Sequence, residues 1–125
     1  MFPVRSVFIG AINIDFYEMP DGQSPVKDFI RSLDPKMKAK TLRTIDLLEA
    51  NGPDLRGPYS APIGDGIFEL RVKQGSDISR VLYFFFIGNN AVLTNGFIKK
   101  TQKTPPGEIA LAKKYRAEYE RRNSK

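Results

Sequence analysis

Arg71, Arg80 and Lys99 are the residues of this chain whose types and spacing carry chemistry. Each lies in a stretch with strand-like alternation, and hairpin geometry brings the stretches side by side. A loop over Gln74-Gly75-Ser76-Asp77 pairs Lys73 with Ile78 and sets Arg71 directly opposite Arg80, on the face that also carries Glu69. A two-residue tip at Asn89-Asn90 pairs Gly88 with Ala91 and sets Arg80 opposite Lys99. Three cations then stand in a row across neighbouring strands. Like charges facing each other cost about 0.2–1 kcal/mol per pair, so a sequence that accepts this is expected to hold an anion there. The other reading is local: Glu69 simply neutralises Arg71. Register decides, because a slip of one residue in either hairpin sends these side chains to opposite faces.

The distribution of charge points the same way. Lys plus Arg is 20 and Asp plus Glu is 14, a net charge of +6. Residues 1–95 hold eleven basic and eleven acidic side chains, whereas residues 96–125 hold nine basic and three acidic. The excess therefore sits entirely in the last thirty residues. Concentrated cations suggest an anionic partner, nucleic acid first and an acidic protein second; a solvated basic helix is the plain alternative.

Composition excludes much else. The chain has 125 residues, 41% of them apolar, with nine Phe and five Tyr, which suits one domain with one core. There is no Cys, hence no disulfide, thiolate metal site or Cys nucleophile, and no His for a Ser-His triad, an imidazole ligand or a His base. No acidic cluster has metal-ligand spacing, so neither a metal nor another cofactor is expected. The longest apolar run, Val81 to Ile87, is seven residues, too short to span a bilayer. Val7 to Ile14 is apolar, but it is broken by Asn13, followed by Asp15, and lacks a small-residue cleavage site. A soluble, cytoplasmic protein with no membrane partner is expected.

The elements that must position the cations can be read in order. Val4/Ser6/Phe8 and Ile12/Ile14/Phe16 alternate as one bulged strand or two short ones. Ser24-Pro25 and Asp34-Pro35 each start a helix, since the side chain caps free N–H groups and Pro is preset for the first turn. Val26, Phe29, Ile30 and Leu33 form the buried stripe of the first helix, and Met37, Leu42, Ile45 and Leu48 that of the second, which stops at Asn51-Gly52-Pro53. Residues 53–66 read as a Pro- and Gly-rich loop, with Gly64-Asp65-Gly66 a turn. Ile67 to Lys73, Ser79 to Ile87 and Ala91 to Ile98 form a three-strand meander. Its middle strand, with Tyr83-Phe84-Phe85-Phe86, is read as buried rather than as a base-stacking platform. Thr104-Pro105-Pro106 starts a last helix, docked through Ile109, Ala112, Tyr115 and Tyr119. The fold class is α+β: a small twisted, mainly antiparallel sheet, with an N-terminal helical hairpin packed on one face and a C-terminal helix.

The stretches GIFELRV, SRVLYFF and NGFIKKTQKTPP, with the elements around them, resemble the RelE/ParE toxin superfamily, specifically its phage-derived HigB-type branch. The resemblance covers about residues 11–120 and implies a microbial-RNase-like fold, with 1–125 a single toxin domain. It implies a toxin of a type II toxin–antitoxin system, an endoribonuclease that cleaves mRNA in the ribosomal A site. It further implies a cognate HigA-like helix-turn-helix antitoxin, with operator DNA bound only through the complex. The catalytic positions it implies are Arg71, Arg80, Lys99 and Lys100, with Lys73, Lys103 and Glu69 binding substrate. Three departures stand out: the RelE position matching Glu69 is basic, the Tyr that RelE carries after its last strand has no counterpart, and His-using relatives are no guide.

Cleavage by the ribose 2′-OH requires removal of its proton, stabilisation of the phosphorane charge and protonation of the 5′ oxygen. Arg71 and Arg80 suit the phosphate oxygens, because a guanidinium fork stays charged. Lys99 or Lys100 suits proton exchange, since a lysine ammonium, unlike a guanidinium, can give up its proton, with Glu69 an alternative base. A ParE-like inhibitor of DNA gyrase and a non-catalytic nucleic-acid-binding module are the competing functions. Arg71 and Arg80 pointing away from each other, or each locked into an internal carboxylate, would end the nuclease case.

Overall fold

Ser24 and Asp34 open helices as their chemistry requires. The Ser24 hydroxyl accepts the Lys27 N–H at 3.3 Å, and the Asp34 carboxylate accepts the Met37 N–H at 3.0 Å. The structure is a computed structural model that describes residues 12–87, 89–100 and 103–124. In chain order its elements are β1 (Asn13–Phe16), α1 (Pro25–Ser32), α2 (Pro35–Asn51), β2 (Ser60–Gly64), β3 (Ile67–Gln74), β4 (Asp77–Phe86), β5 (Asn90–Ile98) and α3 (Pro106–Asn123). A 3-10 turn at Gly52–Asp54 follows α2, where Gly52 carries φ 55°. The alternation at Val4/Ser6/Phe8 lies outside the described residues. Among those residues, no helix is long and apolar enough to cross a membrane.

The strands form one sheet in the order β1-β5-β4-β3-β2, with β1 parallel to β5 and every other pair antiparallel. The architecture is α+β, as expected, but the expected N-terminal helical hairpin is corrected: β1 precedes both helices. The expected loop over 53–66 is corrected too, since Ser60–Gly64 is an edge strand paired with β3. Its Pro62 cannot donate to a ladder, and an edge position tolerates that loss.

Alternation assigns the two faces. Phe68, Leu70 and Val72 of β3, with Val81, Tyr83 and Phe85 of β4, pack beneath α1 and α2. Ile67, Leu82, Phe84, Val92 and Phe97 point to the other face, where Ala112 and Tyr119 of α3 cover them. The middle strand is therefore buried on both sides. On α2 the buried stripe is Met37, Thr41, Thr44, Ile45 and Leu48; Leu42, expected within it, is 44% exposed. Thr44 can be buried because its hydroxyl donates back to the Lys40 carbonyl at 2.9 Å.

Two close fits set the thickness and the tie of this sandwich. At Gly96, on the face beneath α1, a Cβ would lie 2.3–2.9 Å from three ring carbons of Phe29. On the other face, the Tyr17 hydroxyl donates to Glu118 at 2.6 Å, and the Tyr119 hydroxyl donates to Asp15 at 2.6 Å. Burial first, then the bonded carboxylate, raises the pKa of both phenols.

Gly96→Ala should therefore destabilise by about 1–3 kcal/mol, and the penalty should vanish in a Phe29→Ala background; urea unfolding of the four variants checks this. The phenols give a second expectation. A folded pKa raised above the free value of about 10 leaves their stabilisation fully present below that pH and removes it as pH rises through the folded values. Stability should fall steeply in alkali, and less steeply in Tyr17→Phe/Tyr119→Phe, as read from unfolding midpoints across a pH series.

Candidate functional site

β3 and β4 meet in the expected register: Arg71 pairs with Arg80 and Lys73 with Ile78. The turn is tighter than expected, because Gln74 already pairs with Asp77 and only Gly75-Ser76 connects them. Gly75 supplies the positive φ, 62°, that a two-residue hairpin turn needs at its first position. Both guanidiniums thus leave the sheet on the face shared with Glu69. On this face Arg71 and Lys73 are exposed, whereas Glu69, Arg80 and Phe97 are buried.

The expected pairing of Arg80 with Lys99 is corrected, since Phe97 lies opposite Arg80. β4 ends at Phe86 and pairs it with Asn90, so the connection spans 87–89 rather than a two-residue tip. That change alone shifts the register by three and would put Lys99 on the wrong face. A bulge gives one residue back: Leu82 pairs with Asn95 but Tyr83 with Leu93, leaving Thr94 over. The Thr94 hydroxyl donates to the Leu82 carbonyl at 3.2 Å, which satisfies the ladder where it is interrupted. Beyond β5, the Lys99 N–H donates to the Ile78 carbonyl at 2.7 Å. Lys99 therefore joins the face of Arg80 one step further out, in a second row with Ile78 and Lys73. Cβ atoms at such diagonal positions are about 7 Å apart. Lys100 is exposed just past the strand, and Lys103 is exposed before α3.

Beneath the arginines lies a single carboxylate. Glu69 is 2% exposed. Its Oε2 accepts the Arg71 Nε–H at 3.0 Å and faces the Arg80 Nε at 3.4 Å as an ion pair without an aligned hydrogen bond. Its Oε1 accepts the Thr104 hydroxyl at 2.8 Å. The local pairing of Glu69 with Arg71 does occur, then, and extends to Arg80, so that one negative charge is shared by two positive ones. The two arginines differ in role. The Arg71 side chain is 42% exposed, while that of Arg80 is 11% exposed and spends Nη1 on the Ser79 carbonyl. Burial lowers the Arg80 pKa, Glu69 opposes that shift, and Arg71 adds to it. A carboxylate this enclosed acts through the guanidiniums it holds.

Thr104 belongs to the site although its sequence context marks it only as a helix start. α3 begins without a side-chain cap, and Thr104 turns instead to Glu69. Asn95 pins the same end of α3 through Glu108, donating to its side chain at 3.0 Å. The basic helix itself is largely neutralised within the fold. Lys113 and Arg116 pair with Asp65, and Arg121 and Arg122 with Glu118.

A five-strand α+β sheet with three helices, carrying paired arginines over a buried carboxylate, defines the class of domain. A family model described as "Phage derived protein Gp49-like (DUF891)" matches residues 28–117, and the chain belongs to that family, which is associated with RelE-like toxins. No curated protein matches the chain.

Removing Glu69 leaves Arg80 buried beside a like charge, so Glu69→Ala should cost about 3–5 kcal/mol. Thr104→Val, which removes one hydrogen bond to a charged acceptor, should cost about 1.5–3 kcal/mol. Urea unfolding of each variant measures both.

Proposed function

We propose that this protein is the toxin of a type II toxin–antitoxin pair and that it cleaves mRNA in the ribosomal A site by 2′-OH attack. The observation that supports the reading best is Arg71 directly opposite Arg80, with the Arg71 side chain 42% exposed at the sheet surface. Membership of a phage-derived family associated with RelE-like toxins supports the toxin assignment.

In this reading the exposed Arg71 fork binds the non-bridging oxygens of the scissile phosphate and stabilises charge developing on the phosphorane. Arg80, across the strands, adds positive field from behind. Glu69 anchors both through their Nε atoms, which leaves the Nη edges of Arg71 facing outward. Lys99 and Lys100, at the end of β5, exchange protons with the 2′ oxygen and the 5′ leaving oxygen. Lys73 and Lys103 hold flanking phosphates. The products are a 2′,3′-cyclic phosphate and a 5′-hydroxyl. A HigA-like helix-turn-helix antitoxin neutralises the toxin, and only their complex binds operator DNA. Work on the ribosome places the protein in the cytoplasm.

Both arginines are tied to the internal Glu69 carboxylate, enclosing Arg80 and leaving Arg71 42% exposed; this tie counts against cleavage and favours a second reading. It removes one unit of charge from the row, which suits a non-cleaving protein such as a ParE-like gyrase inhibitor or a nucleic-acid binder. Mapping mRNA 5′ ends after induction separates the two. Codon-phased cuts are expected, and Arg71→Ala should reduce them roughly 100- to 1,000-fold while the protein stays folded. DNA damage without phased cuts, or full cleavage by Arg71→Ala, would overturn the nuclease assignment.

A further inference from the structure

Cations without a carboxylate partner lie not only in the segment where the sequence concentrates its charge, at Lys99, Lys100 and Lys114, but also elsewhere among the described residues. Four cations of α3 have carboxylate partners. Lys40 and Arg43 of α2 and Lys73 of β3 have none among the described residues. All three gather at one place, the outer edge of β3 where β2 stops. β2 reaches only to Ser60 opposite Leu70; beyond it, the Arg71 N–H donates to the Tyr59 carbonyl at 2.8 Å and the chain turns away.

Two adjoining hollows open there. One, of about 150 Å3, is lined by Lys40, Thr44, Tyr59, Arg71 and Lys73 among others. The second, of about 450 Å3, is lined by Lys40, Arg43, Asp46, Leu47 and Tyr59 among others. Tyr59 borders both and is 44% exposed, a large aromatic ring left open to solvent between cations. Lys40, Arg43 and Lys73 against one carboxylate, Asp46, make the edge positive, and the smaller hollow adjoins Arg71, the outermost guanidinium of the site, whose own charge is shared with Glu69. An aromatic ring set among cations along a groove is the chemistry that holds single-stranded nucleic acid: bases stack on the ring and phosphates meet the charges.

We propose that the α2–β3 edge is a binding surface for single-stranded RNA, on which a nucleotide next to the one held by Arg71 stacks on Tyr59 while Lys40, Arg43 and Lys73 hold the flanking phosphates. The RNA that occupies it is the message being cleaved, and to that extent the inference rests on the proposed activity. Charge complementarity and continuity with Arg71 carry it. Tyr59 acts through its ring, because its bond to β3 is made by the backbone carbonyl and survives substitution.

Binding is measured apart from cleavage, by fluorescence anisotropy with a labelled 2′-O-methyl oligonucleotide that cannot undergo 2′-OH attack. Tyr59→Ala should weaken binding about 5- to 100-fold, and Tyr59→Phe should bind like the unaltered protein. Lys40→Ala/Arg43→Ala should lower the slope of log K against log salt by about 1.4, or about 0.7 for each phosphate no longer neutralised. Binding by the unaltered protein that disappears in Tyr59→Ala upholds the surface even where no mRNA cuts are found; only the cleavage reading then falls. Unchanged binding by Tyr59→Ala overturns the surface while mapped cuts leave the nuclease standing. Absence of binding by the unaltered protein, or a Tyr59→Ala defect confined to antitoxin binding, also overturns it.

Discussion

Two guanidiniums that a β-ladder forces face to face need a counter-charge, and the protein supplies it from inside the sheet. Glu69 sits two residues before Arg71 on the same strand, so the alternation that exposes Arg71 also directs the carboxylate to the same face. Being on the inner side, under the start of α3, it is closed off from water. A buried carboxylate is costly unless its oxygens are satisfied, and here Arg71, Arg80 and Thr104 satisfy them. The arrangement converts repulsion between the arginines into a fixed geometry. It also makes the arginine face of the sheet depend on the helix: the residue that leads into α3 bonds the carboxylate that orders the arginines.

The same dependence explains why α3 stops where it does. Its apolar residues cover Leu82, Phe84 and Phe97, while Asn95 and Thr104 tie its first turn to β5 and β3. At the far end, the Tyr17 and Tyr119 hydroxyls bind it to the chain around β1. Fixed at both ends, the helix lies on the face that carries Arg71 and Arg80, then Lys73 and Lys99.

What can be read from the sequence follows from how local each signal is. The starts of α1 and α2 are legible because the cap and the proline are adjacent residues. The β3–β4 register is legible because clean alternation and a glycine turn leave few pairings that bury Leu70 and Val81 together. β2 is hidden, since prolines and glycines that mark a loop are also tolerated on an edge strand. The stripe on α2 is displaced from its expected line because two threonines, Thr41 and Thr44, stand where apolar residues are sought, and Thr44 bonds its own helix. Glu69 is legible as a neighbour of Arg71, but its hold on Arg80 and Thr104 is a tertiary fact. Unpaired cations on α2 are likewise invisible, as total charge says nothing about which carboxylates find partners.

The extra residue at Thr94 has a consequence for relatives of this chain. Because strand faces repeat every two residues, the paired part of β5 can gain or lose residues freely only by even steps, whereas the 87–89 connection can change length without moving the register. An odd step would need a matching insertion or loss elsewhere in β5 to keep Lys99 beside the arginines. Chain-length differences within the paired residues of this hairpin are thus a reading of the site itself: those that break the parity mark proteins whose sheet no longer brings lysine and arginine to one side.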